Sequence, residues 1–289
     1  MVNILLNGCN GKMGKALAQY IKGSSSFNLL YCIDKENTDL FNKLTEKPDV
    51  IIDFSTPQAT FLALDYAVKN LVPIVIATTG FSKEEENKIK EYAEAIPIFN
   101  SSNMSYCIHI FSNLVANLAT KLNNVDIEII EKHHRNKVDA PSGTALMIAD
   151  NINKCCNGKY EYVFNRCTTN LKNDNNNDNI NTNTNTNTNI SIKTNIHNVN
   201  NSPVTSSQGK KLNGLKNFHS EAKSYNEIGF SSIRGGKLVG EHTVLFIGEN
   251  ESFELTHTAY SRSIYVEGAL KASQFIITKK NGLYSMADM

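Results

Sequence analysis

The string His133-His134-Arg135-Asn136-Lys137-Val138-Asp139-Ala140-Pro141-Ser142-Gly143-Thr144 places two imidazoles, a guanidinium and an ammonium in one short polar stretch, expected to be a loop. Ser142-Gly143-Thr144 then leads into an apolar-periodic segment (Ala145, Leu146, Ile148, Ala149, Ile152) that predicts a helix. Backbone N–H groups at a helix start bind carboxylate or phosphate, and the helix dipole adds to the attraction. A histidine beside such a site is suited to give or take a proton near neutral pH. The same residues would also serve as a solvated basic loop ending in an ordinary Ser or Thr helix cap. The N-terminal end of the chain weighs between the two.

There, the apolar run Val2 to Leu6 turns through Asn7-Gly8-Cys9-Asn10-Gly11-Lys12-Met13-Gly14 into a helix whose inner face is expected to carry Met13, Ala16, Leu17, Tyr20 and Ile21. Glycines between a strand and a helix allow a tight turn, close approach of a pyrophosphate to the backbone and close helix packing. The spacing is Gly-x-x-Gly-x-x-Gly, so context has to support it. Asp34, about twenty residues beyond the last glycine and at the end of the apolar strand Leu29 to Ile33, supplies an acid suited to a ribose.

The elements that must position these residues alternate strand and helix over the first hundred positions. Strands are expected at Val50 to Phe54, Val72 to Ala77 and Ile96 to Phe99, with helices from near Pro57 and from Lys83 to Ala95, the latter opened by a Ser82/Glu85 capping box. Repeated units of this kind imply a parallel doubly wound sheet with ligands at the carboxyl ends of its strands. Asp53 to Thr56, Thr78-Thr79-Gly80 and Asn100 to Ser105 fall at such ends and should line one crevice with the glycine turn. From about residue 105 the pattern changes to a long helix (Ile108 to Leu122), a strand Val125 to Glu131 delivering the His133 string, late strands at 227–233, 238–248 and 252–260, and a final helix Ile264 to Ile277. Consecutive strands with short turns suggest a second α+β domain with a mixed or antiparallel sheet. Residues 1–104, completed by 262–289, would form a Rossmann-type dinucleotide-binding domain, and 105–261 a substrate-binding and oligomerisation domain. Within the second lies a tract at about 170–217 where Asn and Thr alternate and large apolar residues are sparse, read as a disordered insertion.

A net charge of +1 over 289 residues gives no reason to invoke nucleic acid. No apolar run reaches membrane-spanning length and the N-terminus lacks a signal-peptide layout, so a soluble cytoplasmic protein is expected. The six cysteines show neither Cys-x-x-Cys pairs nor zinc-ligand spacing, and no metal is expected.

These motifs together resemble the 4-hydroxy-tetrahydrodipicolinate reductase (dihydrodipicolinate reductase) family. The resemblance rests on Gly8-x-x-Gly11-x-Met13-Gly14, Asp53-Phe54-Ser55-x-Pro57, Thr78-Thr79-Gly80-Phe81 and the whole His133 to Thr144 string. It continues through Ser232 to Gly236, Val239 to Thr243, Thr256-His257 and Ser261-Arg262. It implies NADH- or NADPH-dependent reduction of a cyclic imine dicarboxylate with release of water, in lysine and diaminopimelate biosynthesis, by a homotetramer built through the second domain's sheet. His133 matches the family's general acid and Lys137 its partner. Ser142, Gly143 and Thr144 match a carboxylate cradle, which His134, Lys137 and Arg262 would complete. The cofactor would meet Gly8, Asn10, Gly11, Lys12, Met13, Gly14, Asp34, Lys35, Ser55, Ala77, Thr78, Thr79, Asn100, Ser101, Asn103 and Met104. Ala77 stands where many relatives carry glycine, and Met104 where an aromatic is frequent. Asp34 favours NADH because a carboxylate repels a 2′-phosphate, while Lys35 and Lys12 would accept one. A related aspartate-type amino-acid dehydrogenase and a non-catalytic dinucleotide sensor remain the alternative readings, since the fold alone does not separate them. His242 and His257 are read as structural histidines, Arg234 as orienting a loop, and Glu241 as an ion-pair partner.

Overall fold

Strand β1 (Val2–Asn7) is buried from Ile4 onward because it lies inside a sheet with helices on both faces. In the computed structural model, which describes residues 1–164 and 225–289, it pairs in parallel with β2 (Phe27–Ile33) on one side and β3 (Val50–Asp53) on the other. Beyond β3 come β4 (Ile74–Ile76), β5 (Pro97–Asn100) and a last strand from the C-terminal end, Gly282–Tyr284 (β11 in chain order), all parallel. Helix α1 (Lys12–Ile21) buries Gly14, Leu17 and Ile21 on one face of this sheet, whereas Tyr20, expected on the buried face, is exposed at the edge of that apolar stripe. Helices α2 (Pro57–Asn70) and α3 (Lys83–Tyr92) cover the opposite face, packing Ala63, Leu64 and Ile89 against Ile51, Ile74 and Ile98. Helix α2 starts where Thr56 accepts from the Ala59 N–H, with Pro57 in the first turn. The Ser82/Glu85 capping box opens α3 as its sequence predicts.

The second half forms a mixed sheet. Helix α4 (Tyr106–Lys121) leads to β6 (Asp126–His133), followed by α5 (Gly143–Cys155), β7 (Glu161–Phe164), β8 (Glu227–Arg234), β9 (Gly240–Ile247) and β10 (Ser252–Ala259). The strand order is β10-β9-β6-β8-β7, with β6, β8 and β7 parallel and β9 and β10 antiparallel. Along β6 burial alternates strictly, so Ile127, Ile129, Glu131 and His133 share one face. The first two meet the core of α4 and α5, including Ile108, Val115, Ile148 and Ile152. The opposite face carries Ile130, Lys132, Ile233 and Ile247, the last two about half and over a third exposed. Helix α6 (Ser263–Ile276) returns to the parallel sheet, placing Val266, Ala269, Leu270 and Ile276 in the same core as Leu17 and Ile21. Strands β7 and β11 were not expected from the sequence. The Asn/Thr tract at 170–217 and Cys167 lie outside the described residues.

Candidate active site

In a doubly wound sheet, ligands bind where strand order reverses, outside the carboxyl ends of the strands. Here the reversal lies between β1 and β3, and the loops leaving those strands touch: a Cβ on Gly8, whose φ is +84°, would stand 2.4 Å from the Phe54 carbonyl oxygen. A Cβ on Gly14 would stand 2.2 Å from the Gly8 carbonyl oxygen, so both positions need glycine. Helix α1 starts at Gly11 with no side-chain cap and no acidic residue in its first turn, leaving its N–H groups to an anion. Asp34 lies beside this turn, accepting the Asn10 N–H at 2.8 Å and the Lys35 N–H at 2.8 Å. Burial alone would raise its carboxyl, but these donors outweigh burial and hold it below the ordinary value. Cradle, open helix start and adjacent acid fit a dinucleotide.

Beneath the crevice sits a carboxylate that sequence reasoning placed at the strand end without a role. Asp53 is fully buried and accepts from Asn7 Nδ2 (2.7 Å), Ser55 Oγ (2.5 Å), Thr60 Oγ1 (2.6 Å) and Thr78 Oγ1 (2.7 Å). It ties the ends of β1, β3 and β4 together and sets Ser55 and Thr78 in place.

At the mixed sheet, His133 is the last residue of β6 rather than part of a loop, because β8 pairs alongside as far as Arg234. The residue is 8% exposed, and Nδ1 lies 2.5 Å from Glu131 Oε2. Glu131, itself fully buried, also accepts from both terminal nitrogens of Arg234 (2.8 and 2.6 Å) and from the Ser142 N–H (3.2 Å). Burial opposes ionisation of Glu131, yet the hydrogen bonds from His133 and Arg234 bring it down to about 2. Sequence reasoning missed Glu131, which lies on the buried face of β6 two residues before His133. Ser142 caps α5 through the Ala145 N–H (3.1 Å), and its hydroxyl meets His242 Nε2 at 3.0 Å. Burial, then the charge of neighbouring His133, pushes His242 down to about 3, so it stays neutral through the physiological range while hydrogen-bonded to Ser142. The rings of His133 and His242 meet edge to face, centroids 5.2 Å apart.

The remaining predicted residues take different places in the structure. Asn103 Nδ2 donates to Thr144 Oγ1 at 3.0 Å, joining the loop after β5 to the start of α5, and Ser101 Oγ supports that loop by donating to the Asn103 carbonyl (2.8 Å). Lys137 Nζ pairs with Asp139 Oδ1 at 2.8 Å, and against the effect of burial that pairing holds the Asp139 carboxyl below its ordinary value. Met13 and Ala77 are half-buried against the parallel-sheet core, Asn100 ends β5, and Thr79, Lys12, Lys35 and Arg262 are exposed. Met104 is packed into the core: its side chain is buried beside Val266, and its carbonyl would lie 1.6 Å from a Cβ on Gly268 of α6. His134 has a buried Nδ1 with no partner among the described residues. Arg234 also donates to the Asp139 carbonyl (2.6 Å), which holds the loop, and Glu241 pairs with Lys132 (2.5 Å). Among the described residues no cluster has the makings of a metal site, and no helix is long and apolar enough to cross a membrane.

The sequence matches the profile of the dihydrodipicolinate reductase N-terminus over residues 2–104 and that of the dihydrodipicolinate reductase C-terminus over 107–289. It is 38% identical to a 4-hydroxy-tetrahydrodipicolinate reductase of Caldanaerobacter subterraneus subsp. tengcongensis and 37% identical to one of Clostridium novyi, covering 100% of this chain and 98% of each relative. Among solved structures it is similar to dipicolinate-bound dihydrodipicolinate reductase from Paenisporosarcina sp. TG-14, with a TM-score of 0.66, 22% identity, and coverage of 99% of this chain and 97% of that one. The α/β architecture with its parallel and mixed sheets, the glycine cradle and the full-length relatives agree, and the chain belongs to the dihydrodipicolinate reductases, NAD(P)H-dependent oxidoreductases of lysine and diaminopimelate biosynthesis.

Proposed function

We propose that His133 is the general acid in the reduction of 4-hydroxy-tetrahydrodipicolinate to tetrahydrodipicolinate with loss of water, and that residues 133–144 hold the dicarboxylate. The observation that carries this reading is the Asn103 to Thr144 hydrogen bond, which sets a loop of the dinucleotide crevice against the start of α5, where Ser142 contacts Glu131 and His242. Loss of the 4-hydroxyl with a neighbouring ring proton as water leaves a ring C=C conjugated with the C=N bond, and a bound nicotinamide would supply its hydride to the far carbon of that C=C. His133 then protonates the resulting enamine, and the Lys137 ammonium stabilises charge on the substrate nitrogen. One substrate carboxylate takes the place of Asp139 beside Lys137 and meets the Gly143 and Thr144 N–H groups, and His134 and Arg262 serve the other. The pairing of Lys137 with the Asp139 carboxylate supports the reading, since a carboxylate is the functional group that lysine would bind.

Gly8, Asn10, Gly11, Lys12, Met13 and Gly14 hold the pyrophosphate, with Ser55, Ala77, Thr78, Thr79, Asn100 and Ser101 along the crevice. The ionised Asp34 favours NADH, while Lys12 and Lys35 admit NADPH. Residues 1–104 with 262–289 act as the dinucleotide unit and 105–261 as the substrate unit, supported by α6 and β11 packing with the parallel sheet. The face of the mixed sheet that carries Ile233 and Ile247 makes the homotetramer, and free cysteines at 9, 32, 107, 155 and 156 agree with a cytoplasmic location.

The test follows NADH oxidation on substrate formed from aspartate semialdehyde and pyruvate. His133→Gln is expected to lower kcat by roughly 10²–10⁴ while leaving NADH affinity within about twofold, and pyridine-2,6-dicarboxylate is expected to compete with substrate. Wild-type turnover in His133→Gln would remove the assignment.

A further inference from the structure

We infer that Glu131 is a positioning residue for the reaction: its carboxylate fixes the proton of His133 on Nδ1, so that Nε2 is the nitrogen that exchanges a proton with substrate, and Arg234 fixes that carboxylate. The inference rests on the proton-donor role argued above for His133.

A carboxylate on the buried face of a strand is costly unless its charge is compensated. Glu131 meets that condition with four donors: two from the Arg234 fork, the Ser142 N–H and the His133 ring. An ionised carboxylate only accepts, so the ring nitrogen 2.5 Å from Oε2 has to carry the proton. The other nitrogen is thereby left to the site. It lies beside Gly240, where even a Cβ would come within 3.0 Å of Nε2, and glycine keeps that flank of the ring clear. The second arm of the arrangement runs through Arg234. Its Nη2 donates both to Glu131 Oε1 and to the Asp139 carbonyl, so one guanidinium sets the carboxylate behind His133 and the loop bearing Lys137. A partner that neutralised Arg234 and nothing more would leave the tautomer of His133 unspecified. Glu131 instead shares Oε2 between the ring and the guanidinium.

Replacing Glu131 by Gln keeps the shape but can turn an N–H toward Nδ1, which selects the opposite tautomer and opposes the doubly protonated ring. Ring ¹⁵N spectra of the full chain, assigned by the signals lost in His133→Gln, should show Nδ1 of His133 protonated through the neutral range, with a downfield proton absent in Glu131→Gln. By analogy with the carboxylate-to-amide change behind a catalytic histidine, kcat should fall roughly 10²–10⁴-fold in Glu131→Gln, with NADH affinity and the substrate KM nearly unchanged. In a His133→Gln background the same substitution should cost nothing further, because its effect runs through the ring. An unprotonated Nδ1 in the wild-type protein, or an equal loss of kcat in both backgrounds, overturns the inference. Should Glu131→Gln fail to fold, the wild-type spectrum decides. Wild-type turnover in His133→Gln would instead strike the proton-donor reading, while the spectra still judge the tautomer.

Discussion

His242 shows how a buried side chain near the site makes the fold sensitive to acid. The folded chain holds it neutral down to about pH 3, whereas the unfolded chain protonates it near 6.5. The unfolded state therefore binds the extra proton between those values, so stability is whole above about pH 6.5 and declines as pH falls toward 3. Thermal melts between pH 7 and 5 should show the midpoint falling, and His242→Gln should flatten that slope; an unaltered slope would mean that other groups dominate. At this scale the sequence was legible where chemistry is carried by rare residues in tight order, as in the string from His133 to Thr144. It was silent on Glu131, because a glutamate in a strand reads as solvent-facing until the pairing of β6 with β8 and β9 shows which face is buried. Lys137 was legible as a cation but not in its partner, since the bond to Asp139 depends on how the loop folds back on α5.

The glycine turn and α1 show how an element fixes its residues. Gly14 admits no side chain because the helix start passes over the Gly8 carbonyl and the Cys9 backbone. Gly14→Ala should weaken NADH binding by about tenfold or more, at least about 1.4 kcal/mol, measured by fluorescence titration on folded protein; unchanged affinity would place the pyrophosphate elsewhere. The long elements were readable from periodicity and caps, as Ser82/Glu85 at α3 and Ser142 at α5 illustrate. The strands β7 and β11, of four and three residues, are too short for a periodic signal and exist through their neighbours β8 and β5. The burial of Met104 was not legible for a related reason: its position after β5 suggests a crevice, but Gly268 lets α6 approach so closely that the side chain is enclosed.

For the whole molecule, the outward face of the mixed sheet is where the proposed tetramer is tested. Ile233→Lys should lower the mass measured by light scattering, because a charge in place of an exposed apolar side chain on the proposed contact face opposes association; an unchanged mass would move the interface elsewhere. The parallel, doubly wound character of the first sheet followed from alternation of strand and helix, whereas the join between the two sheets' loops did not, since no local pattern encodes a contact between residues 41 positions apart. That join, Asn103 to Thr144, makes the two ligands thermodynamically dependent on each other. If NADH steadies the Asn103 loop it also steadies the start of α5, so it should raise the affinity for pyridine-2,6-dicarboxylate by the same factor as the diacid raises the affinity for NADH. Asn103→Ala should pull that factor toward one, measured by calorimetry with each ligand alone and in the presence of the other, so that the reductase would still take up either ligand but would no longer sense through one that the other had arrived.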